Sequence, residues 1–217
     1  LNPRKCQTAE VPVLFVPEMA SGLLSSVISA ISGGSLYRKS SYLLDRLGTQ
    51  IFPEWVTLTE NPLIPQAMGS TAYDGDGLPT KIQSFVENGV LTQYVLSLYS
   101  AHRLGMQSTH NAGGVHNLRF NGESDFQTLV KTMDRGLIVT DMMGQGVNLV
   151  NGDYSRGASG FWVENGEIQY PVHEVTVASN LDRMMKEDLL AVGSDVDLRR
   201  SIASGSMLFR RMMVAGS

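Results

Sequence analysis

The stretch VPVLFVPEMASGLLSSV, residues 11–27, sets a carboxylate where a helix should begin. A β-prone run ends at Val16. Pro17 suits a first helical turn, where its missing N–H costs nothing, and the helix dipole favours Glu18 there. Such a helix can carry a metal ligand, a nucleophile's base or only a packed face. Two further segments hold groups that could react. HNAGGVH (110–116) places His110 and His116 in a glycine-rich loop, and GDYSRGASG (152–160) places Tyr154, Ser155 and Arg156 among small residues.

Each has a plain structural reading beside the chemical one. A zinc site needs about three protein ligands from His, Cys and carboxylates. The histidines are His102, His110, His116 and His173, and no HExxH occurs. With no helix to hold them, His110 and His116 read first as hydrogen-bonding loop residues and second as metal ligands. GDYSRGASG only loosely approaches a G-x-S-x-G nucleophile elbow and has no evident His/Asp partner. A tight turn, or a peptide or subunit contact through Tyr154, Ser155 and Arg156, is the stronger reading. GQG (144–146) lacks the third glycine of a dinucleotide loop, since Leu149 stands there. DGDG (74–77) opens like a calcium loop, but Pro79 and the missing terminal Glu break it. His102 reads as a polar helix residue and His173 as a strand residue.

The elements that must hold these residues follow from periodicity. Val11–Val16 predicts a short buried strand. Leu23, Leu24, Val27 and Ile28 form one apolar stripe of a helix that SGGS (32–35) should stop. SYLLDRLGTQIF (41–52) predicts a second helix and EWVTLTE (54–60) a strand. Asn88-Gly89 and Asn165-Gly166 each sit between β-rich arms and predict hairpins, since both residues tolerate positive φ. The shared VENG is at most a faint internal repeat. Residues 124–136 predict a helix with Ser124 or Asp125 as cap and Gly136 as stop. A further helix is expected from a cap near Asn180, and SMLFRRMMVAG (206–216) reads as a last strand. Strands with interspersed helices, without regular βαβα alternation, predict an α+β fold of largely antiparallel sheets.

Composition narrows the function classes. The 217 residues fit one domain, for which the usual span is about 50–250. Residues 1–10 read as a linker and 11–217 as the domain. The net charge of −4 is scattered, with no basic stripe for nucleic acid. Cys6 is the only cysteine, which excludes an intrachain disulfide and fits a reducing, cytoplasmic setting. No apolar run approaches the ~20 residues of a membrane span. The chain begins at Leu1, so an upstream part is expected to be missing.

Taken together, PVLFVPEMASGLL, AISGGSLYRKSSYLLDRLG, YSAHRLGMQSTHNAGG, MGQGVNLVNGDYSRGASGFWVENGEIQYPVHEVTVASNL and VGSDVDL resemble the PmbA (TldE) side of the TldD/PmbA metallopeptidase family, from about Val11 to the end. The resemblance implies that family's C-terminal domain fold, with its N-terminal domain absent. It implies a heterodimeric metallopeptidase acting on unfolded peptides, linked to peptide-antibiotic maturation, antitoxin degradation and, by name, modulation of DNA gyrase. In the family the zinc belongs to the TldD side, on a helix carrying H-E-x-x-x-H with a later cysteine. Here Pro17 replaces the first histidine, Glu18 persists, Gly22 replaces the second, and RRSIASGSMLF has no cysteine.

The resemblance therefore implies a subunit without catalytic or zinc-ligating residues of its own. Zinc is expected in a TldD-like partner, and a homodimer is also admitted. His110, His116, Tyr154, Ser155 and Arg156 are the expected peptide or partner contacts. Two rivals stand beside this reading. One is a stand-alone hydrolase using His110, His116 and Glu18 or Asp153 with a weakly held metal. The other is an interaction module with no proteolytic role.

Overall fold

The computed structural model describes residues 3–216. In chain order its elements are β1 (Ala9–Phe15), α1 (Pro17–Ala30), α2 (Gly33–Tyr37), β2 (Leu58–Glu60), β3 (Gln83–Glu87), β4 (Val90–Leu91), α3 (Leu98–Leu104), β5 (Leu118–Phe120), α4 (Phe126–Met133), β6 (Gly136–Met143), β7 (Asp153–Glu164), β8 (Glu167–Asn180), α5 (Leu181–Arg183), a π-helical turn (Met184–Asp188), β9 (Leu189–Val192), β10 (Ile202–Ser204) and β11 (Met207–Ala215).

Two sheets form, and the expected α+β class with largely antiparallel pairing holds. The larger runs β1-β6-β7-β8-β11-β9, and because β1 also pairs with β11, five of its strands close into a ring. Among its named strands in the described residues, β1–β6 is the parallel pair. The smaller runs β10-β5-β2-β3-β4, with β10–β5 parallel. β1 reads as a continuous apolar run because both of its faces are covered. Val13 and Phe15 enter the main core, while Leu14 joins Leu129, Val130 and Met133 of α4 on the other side.

The expected stripe of α1 is buried: Leu23, Leu24, Val27 and Ile28 all face the core. α1 also ties the sheets together, since Ser204 N of β10 donates to Ser21 Oγ at 3.0 Å. Both Asn-Gly pairs turn hairpins with positive φ at each residue, 49° and 79° at Asn88-Gly89 and 54° and 71° at Asn165-Gly166. Asp125 caps α4, accepting from Thr128 N at 2.7 Å. Asn180 caps α5, accepting from Asp182 N at 3.0 Å.

Three expectations need correction. Residues 41–52 form turns rather than a helix. Asp45 and Gly48 adopt φ of 59° and 77°, and the backbone is bound at long range, Tyr42 N to Leu149 O at 2.8 Å and Leu43 O to Tyr94 OH at 2.8 Å. SGGS ends α1 but opens α2, where Gly33 packs so tightly on Ser100 of α3 that a Cβ would collide with its side chain. The stretch 1–10 reads as a linker, yet its described part is fastened to the sheet. Arg4 N donates to Pro171 O at 2.9 Å, Cys6 is buried, and β1 begins at Ala9 because Ala9 and Glu10 pair with Val214 and Met213.

Candidate functional site

The first turns of α1 open onto a cleft. Val16 is extended, Pro17 starts the helix, and Ser21 Oγ donates back to Pro17 O at 2.7 Å. Glu18 and Gly22 therefore project outward one turn apart, and both are exposed. Together with Met19 they meet Met142 of β6, Arg156 of β7 and Arg200 of the loop before β10 around a hollow of about 150 Å³. Two hollows adjoin it. One of about 380 Å³ adds Asp197 and Arg199 to Glu18 and Arg200, and one of about 240 Å³ runs from Arg156 along Gly144–Val147.

Charges meet across this cleft. Arg200 Nη2 donates to Glu18 Oε1 at 2.8 Å. Arg199 grips Asp197 at two points, 2.8 and 2.7 Å, and that guanidinium holds the Asp197 carboxyl down at about 2. Arg156 Nη2 donates to Gly144 O at 2.8 Å. Met142 is placed by Tyr154, whose hydroxyl lies 2.8 Å from Met142 Sδ. Tyr154 is itself 1% exposed, and burial pushes its phenol up to about 12. Gly146 lets its segment lie flat on β7: Ser155 N donates to Gly146 O at 2.8 Å, and a Cβ at Gly146 would strike Ser155 O.

The structure thus gathers Glu18, Gly22 and Arg156 in one place, with Ser155 exposed beside them and Tyr154 supporting them from within the core. It does not bring the histidine loop there. His116 is buried in the loop before β5, against the smaller sheet, where its backbone N–H and Nδ1 both approach Glu60 Oε2 of β2, at 2.6 and 3.2 Å. His110 Nδ1 contacts Pro79 O at 2.7 Å. DGDG is a turn whose carboxylates bind backbone rather than a cation: Asp74 accepts from the N–H groups of Asp76 and Leu78 within the turn and of Ala112 in the histidine loop, and Asp76 accepts from Leu98 N at the start of α3. His102 lies exposed on α3, and His173 Nδ1 is 2.8 Å from Ser159 Oγ on the open face of β7 and β8.

The donor set does not fit a zinc ion at α1. Pro17 and Gly22 offer no ligand atom, and Glu18 is engaged by Arg200. Among the described residues no group of three or more His, Cys, Asp or Glu side chains could hold a metal. Cys6 is buried, and burial pushes its thiol up.

Sequence reasoning missed Arg200, Met142 and Glu60. The first two arrive from distant segments. Glu60 left a signal, since in TLTE it shares a face with inward Leu58.

Comparisons with known proteins give the family and the fold. The family model described as PmbA/TldA metallopeptidase C-terminal domain matches residues 8–216. The metalloprotease PmbA of Escherichia coli O157:H7 is 49% identical over the whole chain, which covers 48% of that protein. A crystal structure of a proposed modulator of DNA gyrase from Bacteroides thetaiotaomicron superposes with a TM-score of 0.93 at 32% identity, over 100% of this chain and 49% of that one. TldE from Thermococcus kodakarensis superposes with 0.86 at 26% identity, over 99% of this chain and 52% of that one. The chain spans about half the length of these relatives. It belongs to the PmbA/TldA metallopeptidase family and corresponds to that family's C-terminal domain.

Proposed function

We propose that this chain is the peptide-handling, zinc-free half of a TldD/PmbA-type metallopeptidase, working in the cytoplasm beside a TldD-like subunit that carries the zinc and cuts unfolded peptides. One observation supports this most. At the helix start where the family resemblance expects two histidines stand Pro17 and Gly22, and the remaining Glu18 is taken by Arg200 at 2.8 Å. A metallopeptidase glutamate acts by deprotonating a metal-bound water, and Glu18 has no ligand set around it to hold that metal. The stand-alone hydrolase reading loses support because His110 and His116 are committed to Pro79 O and Glu60 rather than to Glu18. No helix among the described residues is long and apolar enough to cross a membrane.

The test is elemental analysis and unfolded-peptide cleavage on the full-length protein, alone and mixed with its TldD-like partner. This reading requires no stoichiometric zinc and no cleavage alone, with cleavage on mixing. One tightly held zinc per chain with cleavage alone overturns it.

A further inference from the structure

The cleft beside α1 carries one guanidinium more than its carboxylates can match. Arg200 is paired with Glu18 and Arg199 with Asp197. Arg156 has no carboxylate within ion-pair distance among the described residues. One of its N–H groups reaches Gly144 O, the Tyr154 hydroxyl lies beside the guanidinium, and its Nε is buried without a hydrogen-bond partner. A guanidinium offers five donors in a planar fork that matches a carboxylate. Most of that capacity is unspent here.

The walls around Arg156 suit an extended chain. β1 pairs with β6 only as far as Val139, where Val16 N closes the register on Val139 O. β6 continues to Met143 with β7 alone as its strand partner among the described residues, which leaves its other edge as main chain beside α1. The floor is bare at Gly22, where an added Cβ would meet nothing within 4 Å. An open strand edge supplies main-chain hydrogen bonds to an added strand, and a pocket or charge at its end supplies selectivity.

We infer that Arg156 anchors a peptide carboxylate, so that the α1 cleft selects extended peptides bearing a free C-terminus or an acidic side chain at that point. The inference rests on the peptide-handling reading above. Glu18 and Asp197 on the same rim disfavour multiply charged phosphates, and the single surplus guanidinium matches a single negative charge.

The test is fluorescence anisotropy of labelled unstructured peptides on the full-length protein, alone and with its TldD-like partner. The probes are a peptide with a free C-terminus and no acidic side chain, its C-terminal amide, and the amide with an internal aspartate. An acidic probe should bind, and Arg156→Gln should weaken it at least about tenfold, the loss of one charge-assisted hydrogen bond. Gly22→Leu should weaken it too, by filling the floor without disturbing the fold. Lys131→Gln on α4 should leave it unchanged. Loss on amidation identifies the C-terminus as the source, whereas Arg156-dependent binding of the aspartate amide identifies the side chain. Affinities within about twofold of wild type for Arg156→Gln, the scatter of an ordinary surface substitution, overturn the inference. Equal binding of acidic and neutral probes also overturns it. Co-elution with the partner is read separately: if it persists while binding ignores Arg156, only the anchor fails, and if wild-type protein never co-elutes or supports cleavage, the subunit reading fails.

Discussion

Arg200 Nη2 donates to Glu18 Oε1 across 2.8 Å, joining the first turn of α1 to a loop 182 positions later. Both side chains are about half exposed, 46% and 57%. Exposed pairs of this kind contribute at most about 1 kcal/mol. Glu18→Gln should therefore shift the urea unfolding free energy by less than about 1 kcal/mol. It should also release Arg200 toward the cleft and tighten acidic-peptide binding by about two- to fivefold, the same energy expressed as affinity. Weaker binding would show that Glu18 contacts the peptide favourably rather than holding Arg200 back.

Glu60 is the opposite case. It is 1% exposed and accepts from Gln83 Nε2 at 2.6 Å, Asn111 Nδ2 at 2.9 Å and His116 N at 2.6 Å. Every partner that reaches it through a fixed N–H is a donor. Glu60→Gln swaps one acceptor for an amide NH₂ that must face a donor. The cost of such a buried mismatch is about 2–4 kcal/mol. Urea midpoints should fall accordingly, and amides of 110–116 should exchange faster with deuterium. An unchanged midpoint would mean that the loop does not depend on this carboxylate.

Asp74 should make that same loop acid-sensitive. Burial pushes its carboxyl up, but hydrogen bonds from Ala112, Leu78 and Asp76 N–H and the His110 charge outweigh this and leave it below its ordinary value of 3.8. A carboxylate lowered by folding stabilises the native state above its unfolded pKa, and that contribution is lost as pH falls through the folded one. The wild type should lose stability below about pH 4, where the unfolded chain begins to take up the proton first. Asp74→Asn should be about 1–2 kcal/mol less stable at pH 7 and should show a flatter acid limb. Denaturant titrations from pH 7 to 2.5 compare the two.

What was legible in the sequence was whatever the chain decides locally. Asn88-Gly89 and Asn165-Gly166 fixed both hairpins through their own φ preferences, and the Asp125 and Asn180 caps through side chains two or three positions from their targets. The spacing of Leu23, Leu24, Val27 and Ile28 gave the inner face of α1. Segment 41–52 misled because Leu43, Ile51 and Phe52 are buried apolar residues, yet Phe52 packs on Phe120 of β5, Ile51 and Phe52 N–H bind Gly89 O, and Asp45 and Gly48 bend the chain. The candidate site divided along the same line. Glu18, Gly22 and Arg156 were found through local motif and resemblance. Arg200 and Met142 join them only through β1–β6 pairing and the return of the chain before β10, which no short window contains. His110 and His116 drew attention by residue type, although one turn of the loop fastens to Pro79 O and the other end to Glu60.

The tyrosines give a test at the alkaline end. Burial pushes Tyr154 from 10.0 up to about 12, against the nearby Arg156 charge, and burial likewise raises Tyr42, Tyr94 and Tyr170. A phenol raised by folding holds its proton more tightly in the native state. Its stability contribution is therefore complete below about pH 10 and is lost as pH rises toward 12. For Tyr154 alone the change from 10.0 to about 12 corresponds to about 3 kcal/mol of unfolding free energy, lost between those pH values as the penalty of ionising a buried phenol rather than gained at pH 7. Tyrosinate absorbance at pH 11 should accordingly fall well short of that of the urea-unfolded chain. Tyr154→Phe removes the hydroxyl's contact with Met142 Sδ, a weak acceptor, and its interaction with the half-exposed Arg156 guanidinium, and should cost about 1 kcal/mol at pH 7. It should also make the alkaline limb shallower, because one late-titrating phenol is gone. A variant with an alkaline limb as steep as the wild type would place the late titration on Tyr42, Tyr94 and Tyr170, and Tyr154 would then be in contact with solvent through the cleft beside Arg156.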